Sequence, residues 1–502
     1  MKKILSLLFI LLVLSPLRAQ NDAEQTLLQP FHSISSQDIL SYAAELSSDK
    51  YRGRLSGSPE YLEAAKWVAG NLADWGIEPV GDDGTFFQWF PCPYTDVKTA
   101  GAVILYGKDE DGNVISKQYR FPDEYFPASN SDSGDVTAKV VYVGHGVSAL
   151  ELGYDDYKNI DVTGKIVLMD TDVPAGSKDE DYASWVPYCY HQYKLNNAVK
   201  HGAAGMLYIN NLANPNTCFN EGFIYAHVGK EVAADLFFGT GRDHKTVKEE
   251  IARERKPCSL ELNKTVTIKA ETEHHPETRG CNVAGLVRGS DPTLKNEVII
   301  VGGHLDGQGY LGEVLPGALD NGSGCADMLG AAKALAQSAV RPRRSILFLF
   351  IGGEECGLFG SQQYTAHPLF PAEKTVCYFN LDMVGTGSGL GVYGVKSFPV
   401  IERCFQEAND RYIHRPFRTS PSRAAGVGRP RSDGVIFQKA GYRSFSFGTF
   451  YQQGEERIPM FYHHPLDRIN TLNPEIMEDV AKLMYLGLLD MANQDSLFPQ
   501  DT

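Results

Sequence analysis

Beyond its first twenty residues the chain has no apolar run approaching the roughly 20 residues that a membrane-spanning helix needs, which argues against an integral membrane protein. It also lacks an excess of basic charge. The 47 Lys and Arg are outnumbered by 62 Asp and Glu, for a net charge of -15. A field of that sign repels phosphate backbones and anionic lipid, so nucleic-acid partners and a basic membrane-surface role are not expected. The cysteines Cys92, Cys189, Cys218, Cys258, Cys281, Cys325, Cys356, Cys377 and Cys404 form no CxxC and no zinc-finger spacing. Their odd number leaves at least one thiol unpaired. Cys325 and Cys377 fall in apolar patterns, as small core residues do, and a Cys189–Cys218 bridge is compatible with the sequence without being required by it. Nothing collagen-like or disorder-prone is present. Hydrophobic residues make up 43% and charged residues 22% of the 502, an ordinary globular mix with length for roughly two to four domains.

What is there begins with a leader-like segment. Lys2 and Lys3 precede an apolar run from Ile4 to Leu14, and small or polar residues follow to Ala19. This order reads as a secretory signal peptide over residues 1–19, cleaved near Ala19–Gln20, although Leu17 stands where a small residue is more usual. The expected mature protein is periplasmic or extracellular, with no stable membrane anchor.

Three further segments differ in pattern. In residues 20–131, SSQDILSYAAELSS and SPEYLEAAKWVAGNLADWG carry Ser/Asp caps and helical apolar spacing, the second stopping at Gly76, with the turn YRGRLSGS between them. In residues 132–262, AKVVYVGHGV, GKIVLMDTDV and AAGMLYIN are short β-rich runs bounded by glycine. Their order, with YDDYKNIDVTGK and the helix HQYKLNNAVKHG between them, resembles a protease-associated (PA) domain. ETEHHPETRG reads as a polar connector. Its His274 and His275 point to opposite sides of an extended segment and cannot easily share one ion, so a solvated pair is expected. Within the last segment, residues 263–502, the stretch from Asn282 to about Asn493 alternates strand-like and helix-like runs, the signature of an α/β fold. NEVIIVGG, RSILFLFIGG and KTVCYFNL are apolar enough for strands buried on both faces.

Each of those three strands runs straight into an acid or a histidine: His304-Leu305-Asp306 after the first, Glu354-Glu355 after the second and Asp382 after the third. Asp320 stands in GALDNGSG, and Tyr462-His463-His464-Pro465-Leu466-Asp467 lies near the C-terminus. One such residue at a strand end is usually structural. So many at one sheet edge would leave buried carboxylates uncompensated, at several kcal/mol each, unless cations neutralise them.

The set HLDG, GALDNGSG, GGEECGLFGS, NLDMVG and FYHHPLD resembles the co-catalytic dizinc aminopeptidases of peptidase family M28. The resemblance implies a mixed, largely parallel sheet flanked by helices, of the zinc-peptidase and phosphorylase/hydrolase type, with an inserted mainly-β PA domain. It further implies one zinc on His304 and Asp382, the other on Glu355 and His463, and Asp320 bridging the two. Cobalt or manganese would suit the same donors. Asp306, two residues after His304, suits a supporting position that fixes the tautomer and orientation of that imidazole, and Asp467 a similar one. Glu354, beside a ligand but not itself one, becomes the general base toward a zinc-activated water, and Tyr462 the donor to the developing oxyanion. Two departures stand out: His464 follows the ligand position where relatives often carry Thr, and Gly434 in SDGVIF replaces a frequent His. Tyr462 before and Pro465-Leu466-Asp467 after favour His463 over His464.

The loop SRAAGVGRPRSDG concentrates Arg423, Arg429 and Arg431. It suits an acidic side chain or a substrate carboxylate, or simply a solvated face. The expected activity is removal of N-terminal residues from peptides. A glutamate-carboxypeptidase-like exopeptidase, a glutaminyl cyclase and a non-catalytic binding protein on the same fold are the alternatives. The preferred residue, the oligomeric state and the role of the insert are not legible.

Overall fold

The computed structural model describes residues 24–108, 111–426 and 428–498; the expected leader at residues 1–19 lies outside them. A nine-stranded sheet organises the larger domain. Its main strands are β1 (Arg279–Val287), β2 (Val298–His304), β3 (Ser345–Ile351), β4 (Thr375–Asn380), β5 (Gly389–Gly394), β6 (Phe417–Pro421) and β7 (Ser444–Phe450). They lie in the order β1-β3-β2-β4-β7-β5-β6, with Glu78–Pro79 and Phe87–Pro91 paired to β1 at the edge. Strands β3, β2, β4 and β7 are mutually parallel, whereas β1 and β5 run antiparallel to β3 and β7. Every residue of β2 and β3 is buried. That is the physical reason their sequences are nearly unbroken apolar runs.

Helices cover the sheet. Helix α1 (Ser36–Leu46) starts where Ser35 accepts the Asp38 N–H, and α2 (Pro59–Asp74) where Ser58 accepts the Tyr61 N–H, each at 3.1 Å. Helix α3 (Gly324–Gln337) connects β2 to β3, and its small residues permit close packing. A Cβ at Gly330 would come within 2.2 Å of Ile39 Cδ1 on α1. Helix α4 (Pro474–Asn493) is apolar around most of its circumference and completes the core with Ile476, Val480, Met484 and Leu488.

A second, eight-stranded sheet forms the insert. Gly134–Tyr142, Ile166–Asp170, Gly205–Ile209 and Ile224–Val228 are its parallel centre, and helices such as His191–Lys200 and His244–Glu254 lie alongside. The sheet extends past the 132–262 segment on both sides. Strands Ala102–Lys108, Val114–Gln118 and Tyr125–Pro127 precede that segment, and Leu260–Ala270 straddles its end. The connector behind it is a paired ribbon, not a solvated linker. Thr272–His275 pairs antiparallel with Tyr94–Val97. Its histidines do face opposite ways, but His274 stacks on Phe219 at 3.9 Å and His275 on Tyr94 at 4.7 Å between ring centroids. All nine cysteines are free, so Cys189 and Cys218 are not bridged, and Cys325 and Cys377 are fully buried core residues.

Candidate metal centre

From β2 the chain crosses through α3 to β3 on one side, and from β3 through the helix Phe359–Ala366 to β4 on the other. The crossover direction reverses at β2, which opens a crevice at the carboxyl ends of these strands. Into that crevice β2 delivers His304 as its last residue, β3 delivers Glu354 and Glu355 after two glycines, and β4 delivers Asp382. Asp320 comes from the turn preceding α3. Gly317 begins that turn with φ +57, and a Cβ there would meet the Asp320 carbonyl at 2.3 Å, so only glycine suits the position. His463 arrives from the loop between β7 and α4.

These five side chains converge. His304 Nε2 stands 3.1 Å from Asp320 Oδ1 and 3.4 Å from Asp382 Oδ1. His463 Nε2 stands 3.4 Å from Asp320 Oδ2 and 3.2 Å from Glu355 Oε2. The two oxygens of Asp320 therefore face one imidazole each. Asp382 Oδ1, Glu355 Oε1 and His463 Nε2 are buried without a hydrogen-bond partner. His464 turns away, edge-on to Phe126 at 5.9 Å.

The supporting groups divide the work differently from expectation in one case. The Asp306 carboxylate stands 3.8 Å from His304 Nδ1, while the Asp306 carbonyl meets that nitrogen at 3.1 Å. The carboxylate instead accepts the N–H groups of Glu354 at 3.1 Å and Glu355 at 3.3 Å. Leaving β2, the chain curls so that this side chain faces the neighbouring loop, whose donors would otherwise be orphaned. Asp467 likewise accepts the N–H groups of Leu319 at 2.8 Å and Asp320 at 3.0 Å, which holds the Asp320 turn in place.

Several supports had no distinctive signal in the sequence. Arg54, in the turn between α1 and α2, is 1% exposed and donates to the carbonyls of Leu305, Leu46, Pro316 and Gly317. It ties the His304 strand end to the Asp320 turn. Ser56 accepts the Gly353 N–H at 2.7 Å, and Asn321 donates to the Leu381 carbonyl at 2.8 Å. Asp433 adds another buried carboxylate at the head of a short helix. The neighbouring Gly434 is buried against Asn380 and Ser444.

The electrostatics are those of carboxylates short of counter-charge. Asp306, Asp320, Glu354, Glu355, Asp382 and Asp433 crowd two histidines. Burial raises Asp306 to about 7 and Asp433 to about 6, and burial with neighbouring acids pushes Glu354 well above its ordinary value. Burial opposes protonation of His304 and His463, but the adjacent carboxylates outweigh it and hold both well above the usual imidazole value. Only Asp320, held between the two rings, is lowered despite its burial. Imidazole and carboxylate donors with unpartnered buried atoms fit divalent cations such as zinc.

The crevice opens into a cavity of about 580 Å³. Glu354, Glu355, Tyr462 and His463 line one side of it, and residues of the insert line another. Tyr462 stacks on His463 at 3.7 Å between centroids. Arg429 and Arg431 are in the wall; Arg423 is not, and its carbonyl accepts the Gln438 amide.

Residues 282–487 match the family model of peptidase family M28, and residues 136–236 match that of the PA domain. A Pseudomonas aeruginosa aminopeptidase is 31% identical over 304 residues, covering 57% of this chain and 50% of that protein. Leupeptin-inactivating enzyme 1 of Streptomyces exfoliatus is 28% identical over 216 residues, covering 40% and 45%. The chain thus spans about half the length of these curated relatives. Among solved structures, an aminopeptidase from Aneurinibacillus sp. strain AM-1 superposes with a TM-score of 0.60 at 21% identity, covering 95% of this chain and 98% of that one. A zinc aminopeptidase from Bacillus subtilis gives 0.58 at 22% identity, covering 91% and 94%. These matches place residues 282–487 in peptidase family M28 and residues 136–236, ahead of them, in the PA domain family.

Proposed function

We propose that this protein is an exported two-zinc aminopeptidase. The observation that carries the reading is the position of Asp320, one carboxylate oxygen toward each histidine, with Glu354 lining the cavity beside it. His304 and Asp382 would hold one ion, Glu355 and His463 the other, and Asp320 both. Bound there, the ions supply Lewis acidity, which lowers the pKa of water and polarises a peptide carbonyl. Glu354 takes the proton released from the attacking water and passes it to the departing amine. Tyr462, anchored by its stack on His463, donates a hydrogen bond from its phenol to the carbonyl oxygen as negative charge develops. The insert wall across the cavity limits how much peptide enters. Lys2, Lys3 and the Ile4–Leu14 run support export.

The test uses peptides with free and acetylated N-termini, with Glu354→Gln as control. Stepwise N-terminal trimming that acetylation blocks and the variant lacks is the expected result. Cleavage of the acetylated peptide from its C-terminus would instead favour a carboxypeptidase. Arg429 and Arg431 in the cavity wall support that second reading, because guanidinium groups bind carboxylates bidentately. In an aminopeptidase the same pair suits an acidic residue near the scissile bond.

A further inference from the structure

The two histidines of the centre are oriented by different domains. His304 Nδ1 is met by the Asp306 carbonyl, from its own strand end. His463 Nδ1 is met by the Ala213 carbonyl at 2.9 Å, from the insert. A carbonyl only accepts, so this contact puts the ring proton on Nδ1 and leaves the Nε2 lone pair for the centre. The insert makes a second contact beside the site: the Thr217 N–H donates to the Cys356 carbonyl at 3.2 Å, one residue after Glu355. Both halves of the Glu355–His463 position thus lean on one loop, residues 210–217.

That loop has no regular structure to hold it in place. Asn211 ties its start to the carbonyls of Pro122 and Asp123. Its end, next to Ala213, is held by Asn130, 2% exposed, whose amide nitrogen donates to the carbonyls of Pro215 at 3.2 Å and Asn216 at 2.8 Å. Ala213 itself is buried beside Val97, Phe126, Leu311 and Leu315, a small cluster drawn from both domains. A buried carbonyl has few ways to move once its loop is tied on both sides.

We propose that the PA insert is part of the metal-binding apparatus: Asn130 holds the 210–217 loop so that the Ala213 carbonyl orients His463, and this sets the affinity of one metal position and not the other. The inference rests on the two-ion reading of the centre. Asn130 is a positioning residue, acting through the loop and the imidazole. Removing an outer partner of a metal-bound histidine typically weakens metal binding about 10–100-fold.

The experiment titrates metal-free full-length protein with Co²⁺, following visible absorbance and bound metal, for wild type, Asn130→Ala and Asn130→Asp. The Asp variant keeps the shape and removes the donors, so it serves if the Ala variant does not fold. Asp243→Ala, which removes the N-cap of the insert's His244–Glu254 helix and no contact of the loop, controls for general destabilisation. Wild type should take up two ions. In the Asn130 variants the first should bind as in wild type and the second roughly 10–100-fold more weakly, with kcat falling more than KM changes. Asp243→Ala should leave both affinities unchanged. Wild-type affinity for both ions in a folded Asn130 variant would overturn the inference and leave the two-ion reading standing. A wild type that binds fewer than two ions would overturn that reading itself, and the inference with it.

Discussion

Two of the buried acidic sites in this molecule, one from each domain, are resolved in opposite ways. In the insert, Asp170 ends the strand Ile166–Asp170 with its side chain 1% exposed. It accepts from Tyr142 at 2.7 Å, from Lys248 at 2.8 Å and from His244 at 3.0 Å. His244 and Lys248 are four apart on one helix face, so a single helix supplies both positive partners. Burial alone would raise this carboxyl, but those partners outweigh it and hold it well below the usual carboxylate range. In the peptidase domain six carboxyls surround two histidines, and most of them are raised. A buried acid at a strand end is therefore not in itself a mark of function. What distinguishes the functional cluster is counter-charge that the chain does not supply.

The comparison can be sharpened by experiment. The largest effect is expected at Glu354, the proposed general base. Glu354→Gln should lower kcat on the order of 10⁴-fold while two ions remain bound, read by steady-state kinetics and metal analysis. Tyr462→Phe should cost about 10²–10³ in kcat, about 2.7–4 kcal/mol, with little change in metal content. Removing metal should separate the domains. Chelation should destabilise the peptidase domain by about 2.7 kcal/mol for ions held at a hundred times their Kd. The Asp170 region should be unaffected, which calorimetry or hydrogen exchange would resolve.

The smallest effects are at Asp170 and in the pH dependence. Asp170→Asn should cost about 1–3 kcal/mol in insert stability, because Lys248 remains largely solvated. The two clusters should then respond to pH with opposite sign. Asp170 is depressed in the folded state, so its contribution is present above an unfolded value of about 3.9 and fades as pH falls further. Asp306 at about 7 and Asp433 at about 6 are raised in the metal-free fold. Their contribution is present below about pH 4 and is lost as pH rises through those values. Unfolding of the metal-free protein followed across this range should show both slopes, and added Zn²⁺ should flatten only the second.

Much of the site was legible because strand ends announce themselves. β2, β3 and β4 read as buried runs, and the residues that follow them are ordered by covalent connectivity alone. The helices α1 and α2 were readable from Ser35, Ser58 and Pro59 for the same local reason. The supports were not. Arg54 looks like one arginine in a polar turn, and only the fold turns its guanidinium toward four carbonyls. The Asp306 carboxylate serves the Glu354–Glu355 loop where local spacing had aimed it at His304. His274 and His275 carry the sequence of a solvated connector, yet each is stacked on an aromatic ring.

By itself the sequence determined which residues could coordinate metal and along which strands they would be delivered. Donor chemistry and strand periodicity are local properties of the chain. Only the tertiary structure decided that Asp320 lies between the two histidines, that Arg429 and Arg431 share a cavity with Glu354 while Arg423 does not, and that a carbonyl 250 residues away in sequence orients His463. Backbone carbonyls leave no signature in an amino-acid sequence, and which of them reaches an imidazole depends on how two domains pack.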